Sequence, residues 1–196
     1  AEQEIGFALL NEMVAYAETS MSRRKFILHY FGEKFDLKTG LGADMDDNMR
    51  FPKSQHEAMN ELGMLIRIIL ETKEKYKSKE IVKTLVGETN ALILSHKTNE
   101  NPLFGCGKDY DSKYWMALLR QSLVAGYFSK DIETYGVVKA TQKAKDFLTD
   151  PCSFMVSADH VFDTNSAPVI SNKSLGIADK VLMGMMLDLR KKVAEE

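Results

Sequence analysis

Between Ser54 and Ala140 the sequence lays down three apolar-striped helical segments and then two short strand-like runs, an order that few folds accommodate. The first segment, Ser54 to Tyr76, carries Met59, Leu62, Leu65, Ile66, Ile69 and Leu70 on one face, which predicts a helix of about five turns. A second, Glu80 to Val86, stops at Gly87. Leu92 to Leu94 then precedes a loop with Asn101-Pro102 and Gly105-Cys106-Gly107. The third helix runs from about Asp111 to Gly126 on the stripe Tyr114, Trp115, Leu118, Leu119 and Leu123, with Asp111 or Ser112 at its N-cap. Tyr127-Phe128 begins a strand, Lys130 to Gly136 is a polar turn, and Val137 to Ala140 is the returning strand. Three helices followed by a hairpin is the order of a winged helix, in which the third helix usually enters the major groove of DNA and the hairpin is the wing.

The flanks are less regular. From Glu4 to about Phe31, Phe7, Leu10, Val14 and Ala17 and then Phe26, Ile27 and Tyr30 predict two short helices, the second capped by Ser20 or Ser22 and ended by Gly32. Glu33 to Pro52 reads as a loop of unusual length. Beyond the hairpin, Thr141 caps a short helix through Leu148, and the chain turns irregular after Pro151, through Asp159, Asp163, Asn165 and Pro168. Asp179 to Val193 is again an amphipathic helix, with Leu182, Met186 and Leu189, and has no following partner.

Chemistry-bearing motifs are few. Gly105-Cys106-Gly107-Lys108-Asp109 lacks the glycine spacing of a phosphate loop and puts Asp109 where a magnesium-holding Ser or Thr is required, so a plain turn is the better reading. Cys106 has no His or acid beside it to act as a base. His29, His56, His96 and His160 show no ligand-like spacing. Asp44, Asp46, Asp47 and Asn48 fail the calcium-loop template, which needs glycine at Met49 and glutamate at Gln55. Lys73, Lys75, Lys77, Lys79 and Lys83 interleave with Glu71, Glu74 and Glu80 as a solvated helix end would, or as a phosphate-facing one. With 26 Lys and Arg against 28 Asp and Glu, any nucleic-acid binding must come from a local basic face. Two cysteines cannot build a disulfide framework, no apolar run is long enough to span a membrane, and Ala1-Glu2-Gln3-Glu4 is unlike a signal peptide. These features lead us to expect a cytoplasmic protein.

The segment Tyr16 to Lys25, with Ser22-Arg23-Arg24, followed by Tyr30-Phe31-Gly32-Glu33, resembles the zinc-binding segment of RecQ-type DNA helicases, where Cys-Arg-Arg precedes Tyr-Phe-Gly-Glu. Asp46-Asp47-Asn48-Met49 with Pro52-Lys53 is similar to that family's Cys-Asp-Asn-Cys and Pro-Lys. Leu103 to Asp109, Tyr114-Trp115, Leu119 to Leu123 and Gly126-Tyr127 resemble its winged-helix, or RQC, domain, and Leu187 to Glu196 resembles the first helix of its HRDC domain. The departures are equally specific. Ser22, Ala43, Asp46 and Met49 stand where the family carries four zinc cysteines, Leu85-Val86-Gly87-Glu88 replaces a Leu-Arg-Gly-Ser, and the wing tip Lys130 to Tyr135 is short.

The resulting expectation is a mainly α chain with a small β-hairpin. Residues 1–53 form a helical platform without its cysteines, 54–150 a winged helix, 151–178 a linker, and 179–196 a truncated helix. The resemblance implies an accessory region that holds duplex or forked DNA for a 3′-to-5′ helicase of repair and recombination, whose motor domains would supply ATP and magnesium chemistry. The fragment itself would carry no catalytic residue and no cofactor, zinc included. Candidate DNA contacts are Lys79, Lys108, Lys113, Arg120 and Lys139, with Ser95, His96 and Lys97 as a second set. Arg120 reads equally as a structural residue bridging to the wing. Two other readings remain open: a free-standing winged-helix transcription regulator, which would need a dimer interface, and a protein-interaction module, which would show no salt-dependent DNA binding. Three methionines, Met21, Met45 and Met49, could close the lost zinc site as an apolar cluster; Asp46 could instead cap a helix or pair with Arg23 or Arg24.

Overall fold

The computed structural model describes residues 2–131, 134, 136–160 and 177–195, in two compact units, 1–161 and 162–196. In the second, only helix α9 (Ile177–Glu195) is described; Met183, Met186 and Leu189 on it are exposed. Asp163, Asn165, Pro168 and three wing-tip residues, Ile132, Glu133 and Tyr135, lie outside the described residues.

The first unit begins with α1 (Glu2–Glu18), α2 (Arg23–Tyr30) and the short α3 (Asp47–Arg50). Of the two predicted caps, Ser22 caps α2 by accepting from the Lys25 N–H at 3.3 Å, while the Ser20 hydroxyl meets that of Ser157 at 2.7 Å. The long loop is broken by α3, because Asp46 accepts the Met49 N–H at 3.0 Å and so satisfies a first-turn donor.

The winged helix follows: α4 (Met59–Glu71), α5 (Ser78–Val86), α6 (Ala91–Ser95), α7 (Ser112–Val124), the hairpin β2 (Phe128–Asp131) and β3 (Val137–Ala140), and α8 (Gln142–Thr149). The strands pair antiparallel, Phe128 opposite Ala140. Leu62, Leu65, Ile66 and Ile69 of α4, Ile81 and Leu85 of α5, Trp115, Leu118 and Leu119 of α7, Val138 of β3 and Phe147 of α8 form one core. Tyr76 O accepts the Val138 N–H at 3.0 Å and Glu74 accepts the Ala140 N–H at 3.0 Å, which seats the wing on the segment ahead of α5.

The glycine-rich loop has a structural role. Gly105 N–H and Gly107 N–H donate at 2.8 Å to Thr84 O and Leu85 O, two carbonyls that the end of α5 leaves free. Trp115 Nε1 donates to Gly107 O at 2.8 Å, and a Cβ at residue 107 would stand 2.5 Å from the indole, so only glycine fits.

Two expectations are corrected. The helix predicted over Ser54 to Tyr76 is shorter, because Gln55–Glu57 is strand β1, paired antiparallel with β4 (Met155–Ser157), and Lys73 and Glu74 take left-handed backbone after α4 ends. Three residues whose partner lies about a hundred positions away carry no periodic signal. Residues 151–160, read as the start of a linker, are packed on the body: Gln121 Nε2 donates to Ser157 O at 2.7 Å, Lys53 Nζ to Asp159 O at 2.8 Å, and His160 N to Glu18 O at 2.6 Å.

Candidate nucleic-acid interface and platform

The predicted cations fall into separate places. Lys79 is exposed in the first turn of α5. Near it, His96 stacks on Tyr76 with ring centroids 5.6 Å apart, and the Tyr76 hydroxyl meets Thr98 at 2.5 Å, so the loop carrying Ser95, His96 and Lys97 is fixed beside the start of α5. Ser95 spends its hydroxyl on Leu92 O at 2.9 Å, and Lys97 is exposed on left-handed backbone. Lys108 and Lys113 are exposed at the other end of α5, where the loop crosses it and α7 begins; nine residues of helix separate the ends by about 13 Å. Lys139 stands on β3 and pairs with Asp131 across the hairpin at 2.5 Å.

Arg120 does not join this surface. Its guanidinium pairs with Asp159, both side chains are mostly buried, and its Nε has no hydrogen-bond partner among the described residues. The bridge from Arg120 runs to Asp159, in the segment after β4, and not to the wing. Burial pushes the Asp159 carboxyl up from its ordinary value, partly opposed by Arg120.

The helix expected to read a groove is covered. Seven of the thirteen residues of α7 are buried; among them Ser122 lies on the aliphatic stripe and turns its hydroxyl onto Leu118 O at 2.7 Å, whereas Gln121 lies off that stripe and is covered all the same. Gln121 is tied to Ser157, its Oε1 accepting the Ser157 N–H at 3.2 Å. The first turn remains open, with Lys113 next to Tyr114, whose ring stacks with Tyr110 at 4.2 Å and with His56 at 5.6 Å between centroids. Trp115 is core, as its place in the stripe predicts. The wing is also engaged, since Lys130 pairs with Glu12 of α1.

On the platform, the four positions that the resemblance sets against zinc cysteines, Ser22, Ala43, Asp46 and Met49, do not suit zinc. Ala43 offers no donor, Met49 only a weak thioether, and the Ser22 hydroxyl is committed to Asp46 Oδ2 at 2.8 Å. Among the described residues no three His, Cys, Asp or Glu side chains converge as a metal site requires. Of the two predicted fates, Asp46 takes the capping one, and Met45 is exposed and fills nothing. Arg23 pairs with the next residue, Asp47, through two bonds of 2.6 and 2.9 Å, which hold the Asp47 carboxyl down at about 2. Arg24 donates to Leu41 O. Burial raises the Cys106 thiol, in keeping with an inert residue.

Three important residues escaped sequence reasoning. Asn48, buried, donates to Thr19 O at 2.8 Å and Met21 O at 2.7 Å, and its Oδ1 accepts from His160 Nε2 at 2.8 Å. In sequence Asn48 is the end of an acidic cluster, and Asp159 and His160 stand in an irregular stretch without periodicity, so no local signal marks them.

A helical platform carrying a winged helix whose third helix is packed away defines the class. Residues 52–165 match the RQC domain, more than half of the chain, and residues 1–41 match the RecQ zinc-binding region, so the chain belongs to the RQC domain family as a RecQ C-terminal region. The zinc-binding match includes Ser22 but stops before Ala43, Asp46 and Met49. Over all 196 residues the chain is 20% identical to the ATP-dependent DNA helicase RecQ of Pasteurella multocida, spanning 30% of that protein. It is 22% identical over 92% of its length to the RecQ of Haemophilus influenzae, spanning 29% of it, and 27% identical over 96 residues to that of Bacillus subtilis, spanning 16%. The chain thus spans under a third of the length of these relatives.

Proposed function

We propose that this chain is an accessory DNA-holding region of a RecQ-type 3′-to-5′ helicase, gripping duplex or forked DNA through phosphates while motor domains of the same polypeptide use ATP and magnesium. The observation that carries this reading is the burial of α7 together with the exposure of Lys79, Lys97, Lys108 and Lys113 around the ends of α5. A covered recognition helix cannot read base edges along its length, whereas scattered lysines contact phosphates without regard to sequence. The same burial counts against a sequence-specific regulator. Docking on a motor is supported by the stripe of Phe7, Leu10, Met13 and Val14 along α1, each 43 to 67% exposed, a face that water alone serves poorly. The relatives are themselves named ATP-dependent DNA helicases. The setting is the bacterial cytosol or nucleoid, in DNA repair and recombination; among the described residues no helix is long and apolar enough to cross a membrane.

The platform in this reading holds no zinc, because its donor set cannot form a tetrahedral site. Metal analysis of the purified protein should find well under one zinc per chain. The DNA reading is tested by titrating fluorescent forks and duplexes of random sequence at several salt concentrations. Affinity should be weak, similar for every sequence, and falling with salt by roughly 0.9 log units per tenfold salt for each phosphate neutralised. Strong discrimination among duplexes, or no binding at low salt, overturns it.

A further inference from the structure

A metal held at positions 22 and 46, where the resemblance would place it, would do one mechanical job: it would tie together two chain segments more than twenty residues apart. The residues at these two positions do that job by hydrogen bonding. Ser22 Oγ donates to Asp46 Oδ2 at 2.8 Å while accepting the Lys25 N–H at 3.3 Å, and Asp46 Oδ1 accepts the Met49 N–H at 3.0 Å. Each side chain therefore caps its own helix and binds the other cap. The hydroxyl is buried and uses both its donor and an acceptor site, and the carboxylate commits one oxygen to each bond.

Adjacent residues extend the join in register. Arg23 pairs with Asp47, and Asn48 reaches back to Thr19 O and Met21 O, so residues 46, 47 and 48 each hold the turn into α2. His160 closes the row on Asn48 Oδ1.

We propose that the Ser22–Asp46 pair is a metal-free clasp that has taken over the zinc's crosslink, making the platform independent of zinc supply. The proposal rests on the absence of zinc inferred above, but it can fail separately. The experiment combines S22A, D46A and the double variant with amide hydrogen exchange at Lys25 and Met49, in the presence and absence of a chelator. The clasp predicts that S22A speeds exchange on the order of fivefold at its own capped amide, Lys25, and also at Met49, because the freed Asp46 carboxylate becomes a poorer cap. It predicts further that thermal midpoint losses of the single variants sum to more than the loss of the double. Two independent caps would give additive midpoints and no effect of S22A at Met49, which overturns the clasp; should D46A fail to fold, the exchange pattern of S22A decides alone. Stoichiometric zinc in the unaltered protein, or a midpoint that falls with chelator, overturns the zinc-free reading beneath it.

Discussion

Replacing Asn48 with alanine removes a side chain that is 4% exposed and holds three partners: the carbonyls of Thr19 and Met21 and the ring of His160. Each bond contributes about 1 kcal/mol net, so their loss costs about 3 kcal/mol, and more if no water reaches the stranded carbonyls. For a domain of this size that corresponds to a fall of roughly 6 to 12 °C in thermal midpoint. N48D sharpens the test. A carboxylate can still accept from His160, but it presents lone pairs to two carbonyl oxygens that now receive hydrogen bonds, so N48D should also be destabilised at neutral pH and recover in part where the carboxyl is protonated. Circular dichroism melts of the three proteins read the difference directly. An N48A midpoint within about 2 °C of the unaltered protein would refute the role assigned to this residue.

Changing Lys108 and Lys113 together to alanine should lower the salt dependence of DNA binding by up to about two log units per tenfold salt, at 0.9 per phosphate; an unchanged slope removes them from the interface. R120A should instead cost stability, about 3 kcal/mol, by stranding the mostly buried Asp159, while the salt slope measured on folded protein stays as it was; a lowered slope would return Arg120 to the DNA surface. His160 is held below its ordinary value by burial and by Lys53 and Arg23, against Asp47, and burial with Lys130 and Lys25 does the same to His29. The unfolded chain therefore takes up protons first on acidification, so stability is full above about pH 6.5 and declines below it. H160Q should flatten that decline in denaturant titrations between pH 8 and 5, and an identical pH profile would contradict it.

Why the winged helix was legible while the packed segment 151–160 was not follows from what makes a periodic signal. The helix α7 buries Trp115, Leu118 and Leu119 at helical spacing, and the hairpin alternates Val138 inward with Lys139 outward, so local pattern and global fold agree. Its N-cap, Asp111, was readable for the same local reason: it accepts the Tyr114 N–H at 2.8 Å, three residues on. Strands β1 and β4 have three residues each and exist only because the chain returns to the same place, and the same holds for Asn48 with His160, 112 positions apart. Nothing in either segment alone encodes the meeting.

The cations show where the limit lies for the site. Arg120 and Lys113 both fall off the aliphatic stripe of α7, and by periodicity both belong to its solvent side. A helix has more than one face beside its core stripe, however, and the one bearing Arg120 and Gln121 is covered by residues 157–159, while the first turn is left to water. Periodicity counts apolar contacts; a polar cover made of the Ser157 carbonyl and N–H and the Asp159 carboxylate leaves it unchanged. The separation of a phosphate contact from a buried ion pair therefore rests on the partner segment. That segment is polar and irregular because its work is done by hydrogen bonds to α7 and the platform, which is also why the most consequential contacts of this fold gather in its least patterned residues.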